Sequence, residues 1–157
     1  MAGASDNHNV ISSNVFMEIG LQARKAGCRA FAADMRVKAQ KGNYFYPDLL
    51  VTCGEREFED NQKDVLLNPK VIFEVLSKST QLKDRNEKFE SYIALESLTD
   101  YVLIEQDVMR IEHFSRIDEK DWKVRVYAEA DETIFFESIN CRLSVADVYR
   151  EVSLRED

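Results

Sequence analysis

The chain has 157 residues, 45% of them hydrophobic, with nine Phe, six Tyr and one Trp against five Gly and two Pro. That length fits a single domain over residues 1–157 with a sizeable core, and the composition excludes a disordered or low-complexity chain. A net charge of −8 disfavours unspecific attachment to nucleic acid by the molecule as a whole.

The charge is unevenly spread. Residues 1–46 carry six basic groups against three acids, a net of +3, which leaves 15 basic against 26 acidic groups, or −11, for residues 47–157. A basic end on an acidic body is one reading, and a solvated helix and hairpin is the other. No apolar run approaches the roughly 18 residues of a membrane helix, and the polar N-terminus lacks a signal-peptide core, so a cytoplasmic protein without membrane contact is expected. Cys28, Cys53 and Cys141 are far apart, odd in number and free of C-x-x-C spacing, which reads as reduced structural cysteines.

In chain order, Val10, Val15, Ile19, Leu21 and Ala23 spaced among polar residues predict a helix over 9–26, stopped by Gly27 after Arg24-Lys25. Phe31, Ala33, Met35 and Val37 alternate with Ala32, Asp34, Arg36 and Lys38, the period of a half-buried strand, and Lys41-Gly42-Asn43 makes a turn. Tyr44 to Cys53 is the antiparallel return strand, with Pro47 at its start or near an edge. Residues 54–69 read as a long charged loop.

Val71-Ile72-Phe73-Glu74-Val75-Leu76 is apolar at both parities except for Glu74, the pattern of a central strand covered on both faces. Ser77 to Thr80 offer caps for a helix over about 82–96, whose inner stripe is Phe89, Tyr92, Ile93 and Leu95. Lys88 falls at the border of that stripe, within reach of the interior. Tyr101–Glu105, Met109–Phe114 and Trp122–Tyr127 predict three more strands, Thr133–Phe136 a short fourth, and Ser144–Glu151 a closing helix. His113, alternating with Phe114, reads as structural.

The acids carry the functional argument. An ionised carboxylate taken out of water costs several kcal/mol or more unless paired or bound to metal, so Glu74 needs a partner. Asp48 opens the apolar stretch after Pro47 on the neighbouring strand. Two carboxylates there, the backbone carbonyl of Val75 and a nearby lysine compose a site for magnesium or manganese, hard cations that take oxygen ligands. The chemistry such a site supports is phosphodiester hydrolysis. The plain readings are a turn-capping Asp48, a Glu74 neutralised by an arginine such as Arg36, and a Lys88 that snorkels or pairs with Asp84.

The ordered strings Met1-Ala-Gly-Ala-Ser, His8-Asn9, Ala33-Asp34-Met35-Arg36-Val37, Tyr46-Pro47-Asp48, Phe73-Glu74-Val75-Leu76-Ser77, Ser79-Thr80, Asp84-Arg85, Lys88-Phe89 and Tyr92 resemble the Uma-two family of restriction-endonuclease-like proteins, within the PD-(D/E)XK nuclease superfamily. The resemblance runs from Met1 to about Val152. It implies an α/β fold with a restriction-endonuclease-like core, a mixed β-sheet flanked by helices, and a magnesium-dependent DNA endonuclease. Carried over, Asp48 is the Pro-Asp acid and Glu74 the second metal-binding acid. The E-x-K lysine is missing, since Leu76 stands two residues after Glu74. The resemblance moves that role to Lys88 on the following helix, with Lys78 as competitor.

Around that core the resemblance suggests auxiliary positions, each with a plain alternative. His8 is a proton carrier or phosphate contact, or a solvated residue of a terminal Asn-His-Asn cluster. Glu18 is an extra ligand, or a solvent-facing helix acid. Asp34 borders the cleft, and Tyr92 packs and hydrogen-bonds beside it. Relatives carry a further segment with an Asp-Gly turn before the Met-Ala-Gly-Ala string, whereas Met1 is the first residue here, so either the chain is short or its start codon is misplaced. A homodimer suits two-strand cutting. The rival function is a nuclease fold without activity, serving as a binding or regulatory protein.

Overall fold

In the computed structural model, residues 3–77 and 81–156 are described, residues 81–84 by their backbone alone. The first element is α1 (Asp6–Lys25), in which Ile11, Val15, Ile19 and Ala23 recur every fourth residue and form a fully buried stripe. Ser5 caps it, its hydroxyl accepting the His8 N–H at 3.1 Å. Gly27 follows the helix at φ +78, a left-handed conformation that turns the chain into the sheet.

The strands come in chain order as β1 (Cys28–Ala32), β2 (Arg36–Lys38), β3 (Tyr44–Phe45), β4 (Leu49–Cys53), β5 (Val65–Leu66) and β6 (Val71–Leu76). Then α2 (Gln81–Ile93) leads to β7 (Asp100–Glu105), β8 (Ile111–Arg116), β9 (Trp122–Tyr127), β10 (Thr133–Phe136), β11 (Cys141–Ser144) and α3 (Val145–Val148). Six strands form the main sheet in the order β1-β4-β6-β7-β8-β9. Only β6 and β7 run parallel, joined through α2, and the other neighbours are antiparallel, so the sheet is mixed.

All six residues of β6 are buried, Glu74 included. On one face Val71, Phe73 and Val75 pack with the α1 stripe, Val102, Ile104 and the β10–β11 hairpin. On the other, Ile72 and Leu76 pack with Leu50, Tyr101, Leu103 and Tyr92 of α2. Two covered faces account for the lost alternation. Aromatic contacts knit each layer: Phe73 meets Phe136 at 5.5 Å, and Tyr92 meets Phe45 at 5.3 Å and Tyr101 at 5.6 Å.

Several boundaries differ from the sequence reading, for identifiable reasons. The strand expected over 31–38 breaks at a turn through Ala33 and Asp34. The return strand divides around Pro47, which has no N–H for the ladder, and its halves join different sheets: β4 pairs β1 and β6, whereas β3 pairs β2. Within 54–69, Val65–Leu66 adds a strand parallel to β2 and Phe58 bridges Leu66. The Cys-Arg-Leu-Ser alternation of 141–144 is a strand, with Cys141 and Leu143 buried, so the last helix begins at Val145. The cysteines also depart from expectation: register brings Cys28 opposite Cys53, and the two form a disulfide. Cys141 is free and buried. Among the described residues no helix is long and apolar enough to cross a membrane.

Candidate functional site

Antiparallel register places the two acids side by side. Leu49 pairs Phe73 and Leu50 pairs Ile72, so Asp48, one residue before Leu49, arrives next to Glu74. Glu74 shares its strand parity with Ile72 and Leu76 and therefore faces α2. There Lys88 meets it, Nζ lying 3.7 Å from Glu74 Oε1 and 5.9 Å from the centre of the Phe45 ring.

Asp48 is held from both layers. The Val75 N–H donates to its Oδ2 at 2.8 Å, and His8 Nε2 lies 3.0 Å from its Oδ1. His8 sits in the first turn of α1, its backbone fixed by the Ser5 cap, so the helix start aims the imidazole at the acid. It is thus a member of the site rather than a solvated terminal residue.

The environments push the two carboxyls apart. Burial works against ionisation of Asp48, but the His8 hydrogen bond, the Val75 N–H, the His8 charge and a hydrogen bond from Glu74 together outweigh it, and its pKa is lowered. His8 is raised in turn, chiefly by that hydrogen bond, with burial opposing. For Glu74 burial dominates. Although the Lys88 charge pulls the other way, the charge and hydrogen bonding of Asp48 add to burial, and its pKa is pushed up to about 8. At neutral pH the pair therefore holds one ionised acid, Asp48, and one mostly protonated acid, Glu74. Glu74 Oε1 is buried and has no hydrogen-bond partner among the described residues.

The remaining residues singled out in the sequence divide. Tyr92 is fully buried on α2. Its phenol is pushed far up, first by burial and then by the Glu74 charge, and its hydroxyl has no hydrogen-bond partner among the described residues. It packs beside the acids rather than bonding to them. Glu18 is exposed on α1, and Asp34 is exposed in the turn after β1. Lys78 lies outside the described residues. Arg36 stacks on the exposed Tyr44 ring at 5.2 Å, and the cation facing Glu74 is Lys88.

Two residues of the neighbourhood escaped the sequence argument. Glu112 is buried on β8, its Oε2 bound by Arg85 and its Oε1 by Arg110 at 3.0 Å. The available signal was an acid two residues before Phe114 on the inward parity of a strand, the same signal that marked Glu74. Arg85 precedes Lys88 by three residues on α2, and the two line one small pocket over Glu74 and Leu103.

A second polar cluster lies on the opposite face. His113 Nε2 contacts Asp100 Oδ2 at 2.6 Å, and the other Asp100 oxygen accepts hydroxyls from Thr99 and Ser138. Ser115 lies 3.3 Å from the same ring nitrogen, so the imidazole has no second nitrogen in place to relay a proton between serine and aspartate. This cluster ties β7, β8 and the segment after β10 together, in keeping with a structural His113.

Comparison with known proteins agrees with the geometry. The profile of the Uma2 family, described as putative restriction endonuclease, matches residues 1–146. The uncharacterized protein sll1609 of Synechocystis sp. is 37% identical over 123 residues, which is 78% of this chain and 70% of the relative. A second Synechocystis protein, the uncharacterized slr1290, is 30% identical over 151 residues, 96% of this chain and 78% of the relative. Among solved structures, a putative nuclease belonging to DUF820 from Anabaena variabilis matches with a TM-score of 0.76 at 17% identity, covering 94% of this chain and 83% of that one. At that identity the likeness is one of fold. With its sequence matched nearly from end to end, the chain belongs to the Uma2 putative restriction endonuclease family.

Proposed function

We propose that the protein is a metal-dependent endonuclease that hydrolyses DNA phosphodiester bonds, with Asp48 and Glu74 holding magnesium or manganese and Lys88 assisting attack by water. The observation that carries this reading is the convergence of Asp48, Glu74 and Lys88 from two strands and a helix, with a buried carboxylate oxygen that has no hydrogen bond among the described residues.

The residues fit the ion. Glu74 Oε1 and the oxygens of Asp48 are hard donors, and an orphaned buried acceptor is costly unless something binds it. Among the described residues no group of three His, Cys, Asp or Glu side chains forms a ready-made cage. Magnesium does not require one, since it is usually held by one or two carboxylates and completed by waters and substrate phosphate. The Val75 carbonyl is the third protein ligand in this reading.

When bound, the ion supplies Lewis-acid stabilisation of charge on the phosphate and makes water more acidic. The chain does the rest. Asp48 is ionised and oriented by His8 and Val75, and Glu74 would hold the cation as its carboxylate, so binding would release a proton. Lys88, beside Glu74, would orient the attacking water and neutralise charge developing on the phosphate. His8 accepts or returns a proton beside Asp48. The placement of Lys88 on Glu74 makes up for the absent E-x-K lysine and favours this reading over a nuclease fold without activity. A homodimer would present two such sites to a duplex.

Calorimetric titration of manganese into the wild type, Asp48→Ala and Glu74→Ala tests the metal assignment. Binding in the wild type that weakens at least tenfold in each variant is expected. Equal binding by all three proteins would place the ion elsewhere and overturn the assignment.

A further inference from the structure

Register across the central strands carries the argument beyond the metal site. Glu74 pairs Leu103, and Leu103 pairs Glu112, so the three residues form one row on the face covered by α2. At the usual strand spacing Glu112 lies about 10 Å from Glu74. Each buried acid meets one cation from α2: Lys88 at Glu74, Arg85 at Glu112. Lys88 and Arg85 are three residues apart, neighbours on the helix surface. They line a common pocket together with Glu74 and Leu103.

We infer that Arg85, held in place by Glu112, binds a phosphate of the DNA backbone adjacent to the scissile one; this rests on the nuclease reading above. A guanidinium presents five N–H donors in a rigid fork, and the contact with Glu112 is made through Nη2. The Arg85 side chain is 33% exposed, whereas the Glu112 side chain is 9% exposed, so the arginine reaches from a buried anchor toward solvent. Arg110 closes the other side of the anchor, with Nη2 on Glu112 Oε1 at 3.0 Å and Nε 4.0 Å from Glu105. Arg110 is therefore balanced by two acids, and Arg85 is the one of the two arginines that lines the pocket shared with Glu74 and Lys88. As a stabilising device a buried ion pair is inefficient, because desolvation offsets most of the attraction. As a means of fixing a fork beside a reaction centre it suits the bidentate grip of arginine on phosphate. Because the DNA backbone winds round its axis, successive phosphates of one strand lie about 7 Å apart, roughly twice the axial rise, so a span of about 10 Å suits neighbouring phosphates of one backbone. Glu112 is a positioning residue, acting through Arg85.

The test is the affinity of a short fluorescent DNA duplex across a salt series, with calcium in place of magnesium so that binding is read apart from cleavage. The proteins are the wild type, Arg85→Ala and the double variant Arg85→Gln with Glu112→Gln, which leaves no buried charge without its partner. Each variant is expected to bind about tenfold more weakly at low salt, with the slope of log affinity against log salt shallower by about 1. Manganese titration is the control and should match the wild type. Variants that bind duplex with the wild-type affinity and slope overturn the Arg85 site and leave the nuclease reading standing. Variants that lose manganese as well overturn it too, by showing a general disturbance of the site. A wild type that takes manganese but no duplex removes the DNA reading and this inference together.

Discussion

At the scale of single residues the decisive quantity is the proton on Glu74. Its folded pKa, about 8, stands above the ordinary carboxylate value near 4.5 that the unfolded chain shows. Below about pH 4.5 the group is protonated in both states and its stabilisation is fully present. Between there and pH 8 the folded protein keeps a proton that the unfolded chain has released, so stability falls by up to about 1.4 kcal/mol per pH unit. Above pH 8 the loss is complete. His8, also raised, adds a loss in the same direction as pH rises above 6.5, whereas Asp48, lowered, loses its contribution only in acid, below its ordinary value near 3.8. In metal-free urea unfolding, the wild type should therefore weaken from about pH 5 to pH 8, and Glu74→Gln should weaken less over that range. Identical slopes for the two proteins would mean that Glu74 is not the buried proton holder.

At the scale of elements, what was legible in the sequence followed from burial on both faces. β6 was marked by an apolar run of both parities, and α1 by Val15, Ile19 and Ala23, which the structure buries together with Ile11, whereas Leu21, counted into the same face, is exposed. Pairing choices were not legible, because a local pattern does not say which strand is a neighbour. Pro47 signalled an interruption but not that β3 and β4 would enter different sheets. The cysteines failed for the same reason: 25 residues separate Cys28 from Cys53 in the chain, and only the β1–β4 register makes them opposite. That register predicts one titratable thiol, Cys141, in air-oxidised protein denatured without reductant, and three after reduction. Three thiols without reductant would show the pair open. Glu74 was legible through the cost of burying charge, whereas His8 was legible only as one of two readings, since its contact with Asp48 depends on a helix beginning at Asp6.

At the scale of the whole molecule, the proposed function requires an acidic protein of net charge −8 to meet a polyanion through local arrangement rather than overall attraction. The sheet supplies that arrangement by bringing Asp48 beside Glu74 and placing Glu74 and Glu112 on the side covered by α2, which supplies Lys88 and Arg85 to face those two. In the proposed function the metal would neutralise the centre and the helix cations would meet the backbone, so binding and catalysis would both draw on these charges. The most direct measurement is the conversion of supercoiled plasmid to nicked and linear forms in manganese by wild type and Asp48→Ala. The account predicts metal-dependent cleavage by the wild type and a loss of at least about a hundredfold in the variant, the scale expected when electrostatic stabilisation at the reacting phosphate is removed. Equal cleavage by both proteins, or none by a wild type that binds manganese, would contradict it.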